Sequence, residues 1–238
     1  MKTKCAAVVL SAGQGKRMNS DVPKQYLFID DKPVLYYSLK VFQESFIDEI
    51  ILVTAESDIE YCKKEIVQKY GFDKVSRITA GGRERYHSVF AGIEAAAECS
   101  YIFIHDGARP FVTAEILESA YASVIEYDAC VIGMPSKDTV KLVDENGFAS
   151  TTPKRDLVWT VQTPQVFSFP LIKEAYSILI RDEKRLLAEG MLITDDAMVM
   201  ETFTDTKVKL VEGSYENIKI TTPEDLKIAE AFMDKADK

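Results

Sequence analysis

Two glycines followed by three cations mark the first place where this chain could do chemistry. In "LSAGQGKRMNSDVPKQY" (10–26), Gly13 and Gly15 precede Lys16, Arg17 and Lys24. The small residues Ser11, Ala12 and Gly13 keep side chains out of the way, so backbone N–H groups can approach an anion. Pro23 and Gln25 flank Lys24 and imply a fixed loop conformation. Neither common phosphate loop is present. A G-x-G-x-x-G fingerprint would need glycine where Met18 stands, and a G-x-x-x-x-G-K-[ST] loop would need glycine at Leu10 and a hydroxyl residue at Arg17. A plain strand-to-helix turn with solvated cations is the simpler reading. Three cations around two glycines weigh against it.

Four further stretches carry chemistry. "GGRERYHS" (81–88) sets Gly81 and Gly82 after a strand and Ser88 in the first turns of a helix. Backbone at such glycines can lie against a flat base, and the hydroxyl can donate or accept. Ser88 alone reads as an ordinary helix-face serine, and Arg83 and Arg85 as solvated charges. "HDGARP" (105–110) ends an apolar strand on Asp106, followed by Arg109. A carboxylate there can hold Mg²⁺ or a sugar hydroxyl, and the arginine can neutralise phosphate; an Asp–Arg turn pair is the plain reading. Thr139 and Arg155 lie in a polar segment after Pro135, and Lys219 sits in a short extended run before a helix, where a lysine can face inward or outward. His105 reads as a packed strand residue and His87 as a helix-surface one. With two histidines and no Ser-His-Asp or Cys-His set, nucleophilic hydrolysis has no machinery here.

The elements that must position these residues follow from the hydrophobic pattern. "CAAVVLSA" (5–12), "EIILVTA" (49–55), "YIFIHD" (101–106) and "ACVIGMP" (129–135) lack strict alternation, as do strands buried on both faces; "VSRITA" (75–80) is a weaker one. Between them, Leu35, Leu39, Phe42 and Phe46, then Val89, Ile93 and Ala96, then Leu117, Ala120 and Val124 recur at helical spacing. This order predicts a Rossmann-like α/β fold: an open, mostly parallel twisted sheet with helices on both faces. Ligands in such sheets sit at the carboxyl ends of the strands, which selects residues 11–18, 81–88 and 106–109. After Pro135 the pattern changes to extended pieces with a turn at Asn146-Gly147, predicting a protruding β-arm at about 136–163. Such an arm has little core of its own and gains most by packing on a second copy, so a homodimer is expected. Helix returns at 170–190, a strand at 207–213 and a last helix after "TTPEDL", with Thr222 as N-cap and Pro223 at the first helical position. One domain over 1–238, plus the arm, is the economical division.

Composition sets limits. A net charge of -9 argues against a nucleic-acid binder, while a local cation cluster still suits a small anionic ligand. Four cysteines, Cys5, Cys62, Cys99 and Cys130, form no C-x-x-C pair and read as reduced, packed thiols with no zinc site. "MKTKCAAVVLSAG" has the look of a secretory leader, but its apolar run covers only 5–10 before the cationic loop. No apolar run is long enough to span a bilayer. A cytoplasmic protein with no membrane partner is expected.

Taken together, "SAGQGKRM…PKQY", "GGRERYHSV" (81–89), "HDGARPF" (105–111), "DTVK" (138–141), "TPKRDLVWTVQTPQVF" (152–167), "TDDA" (194–197) and "ENIKITTPEDL" (216–226) resemble the cytidylyltransferases that act on sugar-alcohol phosphates, the 2-C-methyl-D-erythritol 4-phosphate enzymes most closely. The motifs fall in family order over nearly the whole chain. The resemblance implies transfer of CMP from CTP to the sugar-alcohol phosphate with release of diphosphate. It implies that Ser11, Ala12, Gly13, Gly15, Gly81, Gly82, Ser88 and Asp106 hold the nucleotide, and that Arg17 and Lys24 stabilise the transition state. Asp106, Arg109 and Lys219 would position the second substrate, joined by Thr139 and Arg155 reaching from the arm into a neighbouring subunit's site. Mg²⁺ would be held mainly by the CTP phosphates. Ser11 stands where alanine is common in the family, a change between small residues. A ribitol 5-phosphate cytidylyltransferase shares the loop, "PKQ" and "NIK" motifs but differs around the arm and "TDDA". A nucleotide-sensing module without catalysis would shed the reaction-centre cations that this chain keeps, and a dinucleotide oxidoreductase is disfavoured by the broken glycine fingerprint.

Overall fold

The computed structural model describes residues 3–13, 15–18, 20 and 22–236; Gln14, Asn19 and Asp21 of the opening loop, and the Lys16 side chain, lie outside what is described. The apolar runs become one seven-stranded sheet. Its strands are β1 (Cys5–Ser11), β4 (Glu49–Thr54), β5 (Val75–Ala80), β6 (Tyr101–Asp106), β7 (Ala129–Pro135), β10 (Trp159–Ser168) and β11 (Lys209–Glu212). A small hairpin, β2 (Phe28–Ile29) with β3 (Lys32–Pro33), follows the opening loop, and β8 (Leu142–Val143) pairs with β9 (Ala149–Thr151) in the arm. The order in the main sheet is β11-β7-β10-β6-β1-β4-β5. Every pairing is parallel except those of β10, which runs antiparallel to both β6 and β7. From β1 the chain moves outward to β4 and β5, then crosses back to β6 on the other side. Strand order therefore reverses around β1, and its carboxyl end is the place where such sheets open a crevice.

Strand geometry explains the two cores. Successive residues point to opposite faces. Cys5, Ala7 and Val9 of β1 pack with Leu35, Leu39 and Phe42 of α1 (Val34–Glu44) and with Leu117, Ala120 and Val124 of α4 (Ala114–Tyr127). Ala6 and Val8 face the other way, toward Val89 and Ile93 of α3 (Arg85–Ala95), Ile172 and Leu179 of α5 (Phe169–Ala188), and Met200 of α6 (Asp196–Phe203). Each large apolar side chain so buried contributes about 1.5–3 kcal/mol. The short helix α2 (Ile59–Tyr61) runs on as a π-helical stretch over Cys62–Gln68. A third, smaller cluster joins Met18, Ile29 and Val34 to Ile220 and to Ala229 of α7 (Pro223–Ala236). It brings the C-terminal segment against the opening loop. Met18 thus has a packing role where a glycine fingerprint would have its third glycine.

Most elements match the pattern read from the sequence, and the differences have physical reasons. Phe46 and Ala96 lie just past the helices that end at Glu44 and Ala95. Helix α6 starts within "TDDA", where two aspartates hide a short apolar periodicity. The arm proper ends before Trp159, because Trp159–Val161 pair with Pro135–Gly133 inside the main sheet. The expected arm limit at 163 therefore falls within an interior strand. Pro164 obscures that strand in the sequence; it sits at the irregularity between Val161 and Gln165, where an interior strand can accept a proline. No helix of the described residues is long and apolar enough to cross a membrane, and among these residues the cysteines form no disulfide.

Candidate active site

The cation loop is pinned from beneath. Gly15 adopts φ 60°, which a side chain would strain, and its carbonyl accepts the Met18 N–H at 2.8 Å. Lys24–Tyr26 form a single 3₁₀ turn. Gln25 is buried and its Nε2 donates to the Ser11 carbonyl at 2.7 Å, tying the turn to the tip of β1. The Tyr26 hydroxyl lies 2.9 Å from Thr54 Oγ1 and 3.1 Å from Cys62 Sγ, tying it to the tip of β4. Two buried anchors leave Lys24 directed inward, where its Nζ donates to the Ile220 carbonyl at 2.7 Å. Burial, and then the nearby Lys219 and Arg17 charges, push the Lys24 ammonium down to about 8. Arg17 itself is exposed at the rim.

The glycine pair closes the other wall. A Cβ on Gly81 would come within 2.6 Å of the Ala12 Cβ and 2.7 Å of Ser88 Oγ, so only glycine lets β5 approach the loop after β1 this closely. The Ser88 hydroxyl is buried and accepts the Gly82 N–H at 3.1 Å, which sets the loop's curvature. Glu84 and His87 cap α3 reciprocally, and His87 Nε2 also meets Glu183 Oε1 at 3.0 Å. His87 is thus a capping and pairing residue, more engaged than the surface position its sequence suggests.

Asp106 forms the floor. Lys219 Nζ lies 2.8 Å from its Oδ2, Arg109 Nε 3.8 Å from the same oxygen, and Arg85 Nε 3.5 Å from Oδ1. Burial alone would push this carboxyl up, but Arg85, Lys219 and Arg109 hold it well below the usual carboxylate range. Arg109 Nη1 donates to the Asn217 carbonyl at 2.8 Å, and Ile220 N to the Ala108 carbonyl at 2.8 Å, so the "HDGARP" turn and the "NIKI" segment hold each other. Behind them, Asp106 N–H donates to Thr163 Oγ1 at 3.0 Å. That hydroxyl is then free to donate to His105 Nδ1 at 3.1 Å, and His105 Nε2 donates to the Arg109 carbonyl at 3.3 Å. His105 is fully buried, a packed strand histidine as its position implies.

A cavity of about 750 Å³ opens over these elements. Ser11, Ala12, Gly13, Gly15, Lys24, Gly82, Ser88, Asp106 and Lys219 line it, with Gly81 packed just behind Ala12. A second lobe of about 360 Å³ shares Arg85, Asp106 and Lys219 and adds Arg109, Gln162, Thr163, Thr194 and Asp195. Arg17, Thr139 and Arg155 line neither lobe of their own chain, and Thr139 and Arg155 are exposed. Sequence reasoning misses Arg85. Its charge reads as solvated, yet its guanidinium is clamped by Asp196, with both N–O distances 2.8 Å. Gln162, Thr163 and Thr194 are missed as well; they stand in conspicuous motifs, but nothing in the residue pattern gives them a role. Among the described residues, no three histidine, cysteine or carboxylate side chains gather as metal ligands.

Such an arrangement can hold a polyanion in the larger lobe and a second anion in the smaller, with cations at the junction. Known proteins give the same picture. The family profile of 2-C-methyl-D-erythritol 4-phosphate cytidylyltransferase (IspD) matches residues 5–235. The enzyme of that name from Lachnospira eligens is 50% identical, over 95% of this chain and 98% of its own. The one from Lachnoclostridium phytofermentans is 46% identical over 97% and 96%. A crystal structure of 4-diphosphocytidyl-2C-methyl-D-erythritol synthase from Anaerococcus prevotii superposes with a TM-score of 0.83 at 34% identity, covering 98% of this chain and 96% of that one.

Proposed function

The chain belongs to the 2-C-methyl-D-erythritol 4-phosphate cytidylyltransferase family, and from that premise we propose how its residues carry the reaction. The enzyme transfers CMP from CTP to 2-C-methyl-D-erythritol 4-phosphate, giving CDP-methylerythritol and diphosphate for isoprenoid precursor synthesis. A phosphate oxygen of the sugar-alcohol substrate attacks the α-phosphorus of CTP in line, and diphosphate leaves. The nucleophile is a phosphate monoester whose second pKa is about 6, so it is already largely dianionic at neutral pH. No general base is needed, which agrees with two histidines that are both engaged elsewhere, His105 in the core and His87 with Glu183. The barrier is electrostatic: two polyanions meet while charge builds on the α-phosphate and the departing diphosphate. Positioning and preorganised positive charge are the tools that remain.

The observation that carries this reading is the pair Lys24 and Lys219. They come from opposite ends of the chain into one cavity, each held by a protein acceptor. Ser11 to Gly15, Gly81, Gly82 and Ser88 receive the nucleotide, with Asp106 at its edge. Lys24 and Arg17 stabilise the charge at the α-phosphate; Arg17 swings in from the rim to do so. Lys219, Arg109 and Asp106 set the sugar-alcohol phosphate in the smaller lobe. Mg²⁺, when bound, would be held mainly by the CTP phosphates and would supply charge neutralisation there. Asp106 is a poor ligand for it, being paired with three cations already.

Thr139 and Arg155 act in a homodimer, from the arm of one subunit on the site of the other. Their exposure, and their absence from the lining of both lobes of their own chain, support this. So does the arm's exposed apolar surface, with Phe148 72% and Leu157 78% exposed. A cytoplasmic location fits the four unbridged thiols. A diphosphate-release assay over CTP, UTP and ATP with methylerythritol 4-phosphate and ribitol 5-phosphate tests the substrate assignment. Turnover is expected with CTP and methylerythritol 4-phosphate; preference for ribitol 5-phosphate would move the enzyme to the neighbouring specificity.

A further inference from the structure

Two segments of the chain, 81–88 and 194–197, meet at one guanidinium, and catalysis as described leaves that meeting unused. The terminal nitrogens of Arg85 donate to Asp196 Oδ1 and Oδ2, each at 2.8 Å. Its remaining Nε stands 3.5 Å from Asp106 Oδ1, beyond a good hydrogen bond. Asp196 is fully buried and cannot follow Arg85 elsewhere. Tyr176 of α5 donates to its Oδ1 at 2.5 Å. The start of α6 is fixed by Asp195, which accepts the Met198 N–H, and by Gln165, which accepts the Ala197 N–H and donates to Asp195. Arg85 therefore meets two carboxylates and is given in bidentate fashion to the one outside the cavity.

We infer that Asp196 is a positioning residue for the transfer: by occupying both terminal nitrogens of Arg85 it keeps that guanidinium from closing on Asp106, and so leaves Asp106 to hold Lys219. The inference rests on the reading of Lys219 as the residue that orients the sugar-alcohol phosphate. A bidentate arginine–carboxylate pair is the strongest contact Asp106 could make. An Arg85 released from Asp196 has only to turn its fork through a short distance to make it, displacing Lys219 Nζ from Oδ2. A role confined to stability explains less, since a buried ion pair adds little over apolar packing of the same volume. It also gives no reason for Arg85 to line both lobes.

The test compares steady-state kinetics of Asp196→Asn, Tyr176→Phe and Lys219→Ala with the wild-type enzyme. The Asp196→Asn side chain keeps the shape of the original but offers an N–H₂ to one Arg85 nitrogen, which turns that nitrogen away. Asp196→Asn is expected to raise KM for methylerythritol 4-phosphate by about tenfold while KM for CTP changes less than about threefold. Lys219→Ala should move the same constant, and the double variant should be no worse than Lys219→Ala alone, since both act on one contact. Tyr176→Phe frees the carboxylate without removing it and should shift the same KM by about two- to threefold. The inference is overturned if Asp196→Asn lowers only the melting temperature, or raises both KM values alike. Should Asp196→Asn not fold, Tyr176→Phe decides, and an unchanged ratio of the two KM values overturns it. If Lys219→Ala leaves KM for methylerythritol 4-phosphate unchanged, the reading of Lys219 itself is what has failed.

Discussion

The strand-tip half of the site and the arm are built in opposite ways. At the strand tips four cations are already engaged: Lys24 on the Ile220 carbonyl, Lys219 on Asp106, Arg85 on Asp196 and Arg109 on the Asn217 carbonyl. Their supports, Gln25, Ser88, His105 and Thr163, are buried and hydrogen-bonded. The arm has only a two-residue strand paired with a three-residue one, both exposed, and its Arg155 sits at the surface. The chain's own core organises one half. The other half is the one that the proposed homodimer would complete, because two short strands with no buried face are marginal alone.

The largest effect belongs to the preorganised half. Lys24→Ala removes a desolvated ammonium already aimed into the cavity, and a charge fixed in advance is worth most where water is excluded. Turnover should fall by roughly 10²–10³-fold while the far-ultraviolet circular dichroism and melting temperature stay close to wild type. Near-normal turnover would remove Lys24 from the reaction centre.

Next comes the arm, and subunit mixing separates the two halves directly. Arg155→Ala should raise KM for the sugar-alcohol phosphate more than KM for CTP. Mixed with Lys24→Ala chains under exchange, and assayed at sugar-alcohol phosphate far below the raised KM where each variant alone is nearly inactive, two defective proteins should regain activity. In a heterodimer, the subunit with intact Lys24 receives the intact Arg155 of its neighbour. Random pairing puts about half the dimers in that state with one good site of two, so recovery should approach about a quarter of wild type. A mixture that stays inactive would mean that each arm serves its own chain.

The same contrast decides what the sequence revealed. Sheet strands were legible because burial on both faces forces apolar runs, and the site's location followed from strand order. Lys24 and Asp106 fell in motifs at strand tips, so their convergence could be expected; Lys219, in a short extended run that could face inward or outward, was placed beside them only by the family resemblance. Arg85 could not be found this way. One of two arginines in "GGRERYHS", it has the composition of solvated charge, and its partner Asp196 lies 111 positions later. Only tertiary packing joins them. β10 escapes recognition as an interior strand for a related reason: Pro164 argues locally against a strand, and the irregularity that accommodates it depends on β6 and β7. The arm was legible as an arm, through its turn at Asn146-Gly147, but its base was not.

The smallest effect on turnover, and the finest test of how the strand tips are held, concerns His105. Its ring accepts from Thr163, donates to the Arg109 carbonyl, and packs 5.2 Å from the Phe42 ring. Asp106 and Arg109 are the charges that bear on it, and they act in opposite directions. Burial pushes the imidazole down to about 4 from its ordinary 6.5. In the unfolded chain it takes a proton near pH 6.5, while in the folded enzyme it stays neutral until about pH 4. Between those limits the unfolded state binds more protons, so stability rises with pH and is lost as pH falls through the window. The loss from this one group should be about 3 kcal/mol by pH 4. Urea unfolding at a series of pH values should show it in the wild type. In His105→Asn, the side-chain oxygen can still accept from Thr163 and the amide can still donate toward Arg109, but nothing titrates. That variant should be less stable at pH 7.5 because the ring's packing is gone, yet show a slope between pH 6.5 and 4 shallower by that amount. Parallel slopes in the two proteins would mean that the Asp106–Arg109 turn is held by its ion pairs and by α7, and that the histidine behind it only fills space.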